Sequence, residues 1–130
     1  MKFINKKNII LFVIIILVLF LVLVVFLKGI FIKNNKANEK LYSLAGIFYD
    51  YYYEENKEST EEKTKEFFSE FKDKGLTVNL SVLKIYLNNR KEEDFSVFKN
   101  CDDEKTKVIV YPTSPFNKDD YKVETVLSCK

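Results

Sequence analysis

Nineteen consecutive residues, Ile9 to Leu27 (IILFVIIILVLFLVLVVFL), carry no polar side chain. As an α-helix this run measures about 28 Å, against roughly 30 Å of bilayer hydrocarbon. Its apolar residues would cover every side of the helix, which suits lipid better than the one-sided face of a soluble helix. Ile and Val are abundant in it and favour strands in water. In lipid the backbone has to satisfy its own hydrogen bonds, and for a single segment that means a helix.

The competing reading is a cleaved secretory leader, because MKFINKKN is a basic start. The run exceeds the ~7–15 apolar residues of a leader, and no small-x-small pair follows it closely. The nearest, Ser43-Leu44-Ala45, lies well downstream. The sequence therefore predicts an uncleaved transmembrane helix at 9–27. A basic segment at 1–8 precedes it, and a juxtamembrane neck at 28–37 and a domain at 38–130 follow.

Charge is unevenly distributed. The six Lys within residues 1–36 meet no acid, which leaves 15 of the 21 basic residues and all 19 acids for residues 37–130. A basic arm beside an apolar run implies membrane lipid as a partner, and in the neck Ile30, Phe31 and Ile32 are expected to dip into the interface. The acidic remainder argues against a nucleic-acid partner. Lysine counts do not orient the span: Lys2, Lys6 and Lys7 flank one side, and Lys28, Lys33, Lys36 and Lys40 the other. The two cysteines do. Placed where they can pair, they indicate an oxidising compartment for residues 28–130 and a cytoplasmic N-terminus.

The chain has no His. That removes the commonest general base and metal ligand, and with it Ser–His–Asp and Cys–His catalysis and His-containing zinc sites. No cofactor is implied, and an enzyme would have to work with acids, Tyr or Lys alone.

Residues 38–56 read as a helix, with Leu41, Leu44, Phe48 and Tyr52 on one face and Tyr42, Tyr49 and Tyr53 in a stripe alongside. Ser59 and Glu62 match a capping box for a second helix, with Phe67, Phe68 and Phe71 as its inner face and Gly75 as a left-handed stop. LTVNLSV (76–82) alternates like a half-buried antiparallel strand, and 82–90 fits a short helix somewhat better than a strand. KVIVY (107–111) and YKVETVLS (121–128) read as a hairpin around a Pro-containing loop. If that hairpin is symmetric, paired residue numbers sum to about 232. Cys129 then falls opposite residue 103, two positions from Cys101. The expected class is α+β: two helices on an antiparallel sheet of about three strands, with a C-terminal hairpin bounded by a Cys101–Cys129 disulfide.

Other candidate sites have plainer readings. The run YDYYYEEN (49–56) has the aromatic content of a carbohydrate or partner surface, yet aromatics at helical spacing are more often core. Glu92-Glu93-Asp94, Asp102-Asp103-Glu104 and Asp119-Asp120 offer oxygens for calcium, with the two Asp pairs expected on either side of one loop. None has EF-hand spacing, and short charge runs are usually solvated surface. Asn79-Leu80-Ser81 matches a glycosylation sequon but falls in the expected strand.

A short basic N-terminus, a long apolar helix, an aromatic amphipathic segment (LYSLAGIFYDYYYEEN) and a Cys-bounded C-terminal hairpin follow one another here. This layout resembles the type IV pilin and pseudopilin family. The resemblance implies an apolar helix that anchors the subunit before assembly and forms the fibre core afterwards. It also implies a Cys-bounded region that faces neighbours or ligands. In that family a Gly directly precedes the mature apolar segment and a Glu lies near its start. Here the stretch reads Asn5-Lys6-Lys7-Asn8-Ile9, and Ile9–Leu27 holds no acid. The expected function is a non-enzymatic extracytoplasmic protein acting by interaction, in its sharpest form a pilin-like surface or secretion-system subunit. The alternative is an accessory or regulatory subunit of a membrane complex, although the span offers no Gly-xxx-Gly seam or polar group for helix pairing.

Overall fold

A computed structural model describes residues 6–90 and 92–130, with side chains for all of these except 6 and 30–33. The expectations for Ile30, Phe31 and Ile32, and for the basic start at 1–5, fall outside what it describes. The chain divides into two compact units, Met1–Lys33 and Asn34–Lys130.

The first helix, α1, runs over Lys6–Glu55 and contributes to both units. The segment 28–37, read from sequence as a neck, is helical throughout. The unit boundary falls inside it, between Lys33 and Asn34. In the first unit every side chain from Ile9 to Leu27 is exposed, apart from half-buried Val24. Among the described residues this is the one helix long and apolar enough to cross a membrane.

The second unit is α+β. After α1 come α2 (Glu61–Ser69), β1 (Leu76–Asn79), α3 (Leu80–Asn88), a 3-10 turn at Ser96–Phe98, β2 (Lys107–Pro112) and β3 (Tyr121–Val126). The sheet is antiparallel, in the order β1-β2-β3. Its inner face presents Val78, Val108 and Val110 to Leu41, Leu44, Ala45, Phe48, Tyr49 and Tyr53 of α1, Phe68 of α2, and Leu80, Leu83 and Leu87 of α3, in one buried cluster. The predicted inner face of α1 is therefore right in kind but rotated: Tyr49 is fully buried, Tyr52 is half-buried and Tyr42 is exposed.

Two local expectations are corrected. α2 is capped by Thr60, not Ser59: the Thr60 side chain accepts from the Lys63 amide, so no capping box forms between Ser59 and Glu62. The later start turns Thr64 and Phe68 inward. The Thr64 hydroxyl then accepts from the Glu58 amide and donates to the Thr60 carbonyl, both at 2.9 Å, which closes the turn. Of the three Phe, only Phe68 is fully buried; Phe67 and Phe71 are half-buried. The second correction concerns β1, which ends at Asn79 instead of running to Val82. The Asn79 side chain accepts from the Val82 amide at 2.9 Å and so caps α3. Helical spacing buries Leu80, Leu83 and Leu87 together, and leaves Val82, which a strand would have turned inward beside Leu80, exposed. Gly75 does take the left-handed conformation, at φ +70°, with its amide donating to the Phe71 carbonyl at 2.8 Å.

Strand β3 of the hairpin runs antiparallel to the second-unit part of α1. At the hairpin tip, the Tyr53 hydroxyl donates to the Phe116 carbonyl at 3.2 Å, and Lys118 pairs with Asp50 and Glu54. Midway, the Tyr121 hydroxyl sits 3.0 Å from where a Cβ on Gly46 would be, so a bare glycine is what lets strand and helix approach there. At the open end the Thr125 hydroxyl donates to the Asn38 side-chain carbonyl. The unit therefore has a tip end, which also carries α2, and an opposite end where the chain enters at Asn34.

Candidate functional site

Cys101 and Cys129 are disulfide-bonded, with sulfurs 2.03 Å apart, and they face each other as an isolated antiparallel bridge beyond the ladder. The Asp102 amide donates to the Ser128 carbonyl at 2.7 Å and the Lys130 amide to the Asn100 carbonyl at 2.9 Å. These bonds flank the cysteines, which makes them a non-hydrogen-bonded pair, the kind whose side chains stand closest.

The register differs from the symmetric hairpin. Along the ladder, residue numbers sum to 233, as in Lys107 opposite Val126; at the cysteines they sum to 230. Five residues, 102–106, stand against two, 127 and 128. The surplus is taken up by a turn. The Asp102 carboxylate accepts from the amides of Glu104 and Lys105, at 2.9 and 3.0 Å, and the Asp102 carbonyl accepts from the Thr106 amide at 2.9 Å. The buried Thr106 hydroxyl accepts from the Ser128 amide at 3.1 Å. The same turn receives the start of α3: Thr106 and Asp103 carbonyls accept from Leu80 and Ser81, and Lys84 pairs with Asp103 at 2.8 Å. An Asp opening a polar run is a turn-former, and that is the feature of DDEKT that locates the surplus.

Around the disulfide lies a concavity of about 490 Å³, lined by Lys99, Asn100, Cys101, Asp102, Lys105, Ser128, Cys129 and Lys130. Both half-cystines are half-exposed in it. The amides of Lys105 and Glu104, then the charges of Lys105 and Lys130, hold the Asp102 carboxyl below the usual carboxylate range. The sequence reading singled out the cysteines here and passed over the lysines, because the three come together only through the bridge.

The remaining candidates separate. Asp102 and Asp103 lie at the open end of the hairpin and Asp119 and Asp120 at its tip, a full six-residue ladder apart, so the expectation that they flank one loop is overturned. Asp120 is turned into the tip, where its carboxylate accepts from the Asn117 amide. The Asp94 carboxylate accepts from the Ser96 amide just ahead of the 3-10 turn, and Glu93 pairs with Lys40 at 2.6 Å. Among the described residues no group of three or more Cys or acidic side chains is placed to hold a metal ion. The Asn79 side chain, besides capping α3, donates to Glu104 at 2.9 Å.

The tyrosines of YDYYYEEN are largely core. Tyr53 stacks on Phe68 at 4.4 Å, and Tyr49 meets Tyr121 at 4.7 Å. Burial, then the nearby Tyr53 and Tyr121, push the Tyr49 phenol up, and its hydroxyl is the one buried side-chain polar atom without a partner among the described residues. At the rim, Arg90 lies over the Tyr86 ring at 3.8 Å and reaches Glu55 at 2.7 Å, while the Tyr86 hydroxyl donates to the other Glu55 oxygen at 2.7 Å. Desolvation, then the bond to Glu55, push the Tyr86 phenol up to about 12. This cluster ties the end of α1 to the end of α3, and nothing in the local sequence pointed to it.

No known family model, curated protein or solved structure matches the chain.

Proposed function

We propose that the chain is a single-pass membrane protein with a cytoplasmic N-terminus, anchored by residues 9–27, whose extracytoplasmic α+β unit acts by interaction instead of catalysis. The observation that carries this reading is the exposed apolar surface of Ile9–Leu27. Eighteen exposed apolar side chains, with only Val24 of the run half-buried, would be a severe liability in water and are the normal state of a helix in lipid. The disulfide supports the compartment, because such bonds persist where the surroundings are oxidising.

The sharper version is a pilin-like surface or secretion-system subunit. A long apolar helix whose continuation supplies one wall of an α+β core, and a C-terminal segment fastened by Cys101–Cys129, are the features that favour it. In that version the protein partners are further copies of this chain. The test is crosslinking in intact cells with a reagent that does not cross the membrane. A regular ladder of self-adducts fits the pilin-like subunit, and adducts to one other membrane protein fit an accessory subunit. Cleavage of the mature chain just after Ala45, read from its N-terminal mass, would defeat the anchor reading altogether.

A further inference from the structure

The two ends of the second unit differ in charge. At the tip end, residues 54–70 hold seven Glu against three Lys. At the opposite end lies the concavity around the disulfide, lined by three Lys and one Asp. Of the acids near that end, Asp103 is paired with Lys84 and Glu93 with Lys40; Glu104 accepts from Asn79, and Asp102, which accepts from the amides of its own turn, keeps its charge beside Lys105 and Lys130. Lys99, Lys105 and Lys130 are exposed and form no ion pair among the described residues. Exposed Lys36 belongs to the same end of the unit, since Asn38 is bonded there to Thr125.

This is the end at which the chain enters the unit. Only six residues, 28–33, separate Leu27 from Asn34. On the anchor reading, a unit that begins so few residues after the apolar run is within reach of lipid headgroups. Within that unit the lysines and the acidic α2 lie at opposite ends. We propose that Lys99, Lys105 and Lys130 form a docking site for anionic lipid headgroups, which holds the tethered end of the unit against the membrane surface. This rests on the reading of residues 9–27 as a membrane anchor. A lysine at an anionic surface changes the local equilibrium by about fivefold, so three acting together select strongly between anionic and neutral lipid.

The test uses the full chain in lipid nanodiscs of phosphatidylcholine alone or mixed equally with phosphatidylglycerol. A brief pulse of an amine-acylating reagent is read residue by residue by mass spectrometry. Labelling of Lys99, Lys105 and Lys130 should fall at least fivefold in the anionic discs and recover at high salt, while Lys63 and Lys72 of the α2 end stay unchanged. Equal labelling of the three lysines in both discs would overturn the proposal. So would equal protection by inorganic phosphate of the detergent-solubilised chain, which would make the site one for free anions. Protection that follows protein density in phosphatidylcholine discs would also overturn it, by assigning the site to the acidic end of a second copy. A chain that fails to enter discs at all fails the anchor reading instead.

Discussion

Replacing Cys101 and Cys129 together by Ala removes a covalent link between residues 28 apart in sequence. The loop that the bond closes in the unfolded chain is about 29 residues, and loop-closure entropy then gives about 3.6 kcal/mol of stabilisation at 25 °C. Direct packing adds little, because both side chains are half-exposed and Ala keeps part of the contact. The flanking bonds, Asp102 amide to Ser128 and Lys130 amide to Asn100, are backbone groups and survive the substitution. A unit of this size is typically stable by about 5–15 kcal/mol, so the loss is a large share of the total, equivalent to about 15–25 °C in Tm. The assay is urea unfolding of the full chain in nanodiscs under oxidising conditions. It is followed by near-ultraviolet circular dichroism of the tyrosines, since the chain has no Trp. A loss below about 1 kcal/mol would show that residues 127–130 are not fastened into the fold by this bond.

The Tyr49 hydroxyl is buried without a partner among the described residues, so Tyr49→Phe should leave stability unchanged or raise it by up to about 1 kcal/mol in the same assay; a loss of about 1 kcal/mol or more would mean the hydroxyl is bonded. Gly75→Ala should cost about 1–3 kcal/mol, because a Cβ there meets Ile109 Cγ2 at 2.5 Å and the backbone is left-handed. With no His, unfolding midpoints should be flat between about pH 5.5 and 9. On the acid side, Glu54, Glu55, Glu61, Asp94 and Asp102 have folded pKa values below their unfolded ones, so their contribution is complete above the ordinary carboxylate range and is lost as pH falls below it, through the lowered folded values. On the alkaline side, burial raises Tyr49, Tyr86 and Tyr121, so their contribution is whole below about pH 10, where unfolded tyrosines ionise, and is lost as pH rises through the folded values, which for Tyr86 is about 12. A midpoint that moves between pH 6 and 8 would contradict this account.

The parts of the fold that were legible in the sequence are those fixed by local pattern. Strict apolarity marked Ile9–Leu27, helical spacing marked Leu41–Tyr53, and β-branched runs marked β2 and β3. The two misplaced boundaries have different causes. Leu76 to Val82 alternates on paper, but one Asn side chain competing for the Val82 amide ends the strand and starts a helix. Ser59 and Thr60 are both adequate caps, and the choice between them was made by whether Thr64 and Phe68 could reach the core. The disulfide could be anticipated because hairpin symmetry brought the cysteines within a few residues of each other. The lysine concavity could not, since it depends on a turn that shifts the register by three residues between the ladder and the bridge. The Glu55–Tyr86–Arg90 cluster was equally out of reach, because its members come from two helices at positions with no pattern of their own.

If residues 9–27 cross a membrane, the disulfide-bonded unit lies on its outer side. Protease protection tests this placement most directly, using cells with outer layers removed and the plasma membrane intact. Added protease should digest residues beyond Lys28 and leave a protected fragment containing Ile9–Leu27. A full-length chain that resists protease until the membrane is broken would put the unit on the cytoplasmic side and contradict this placement.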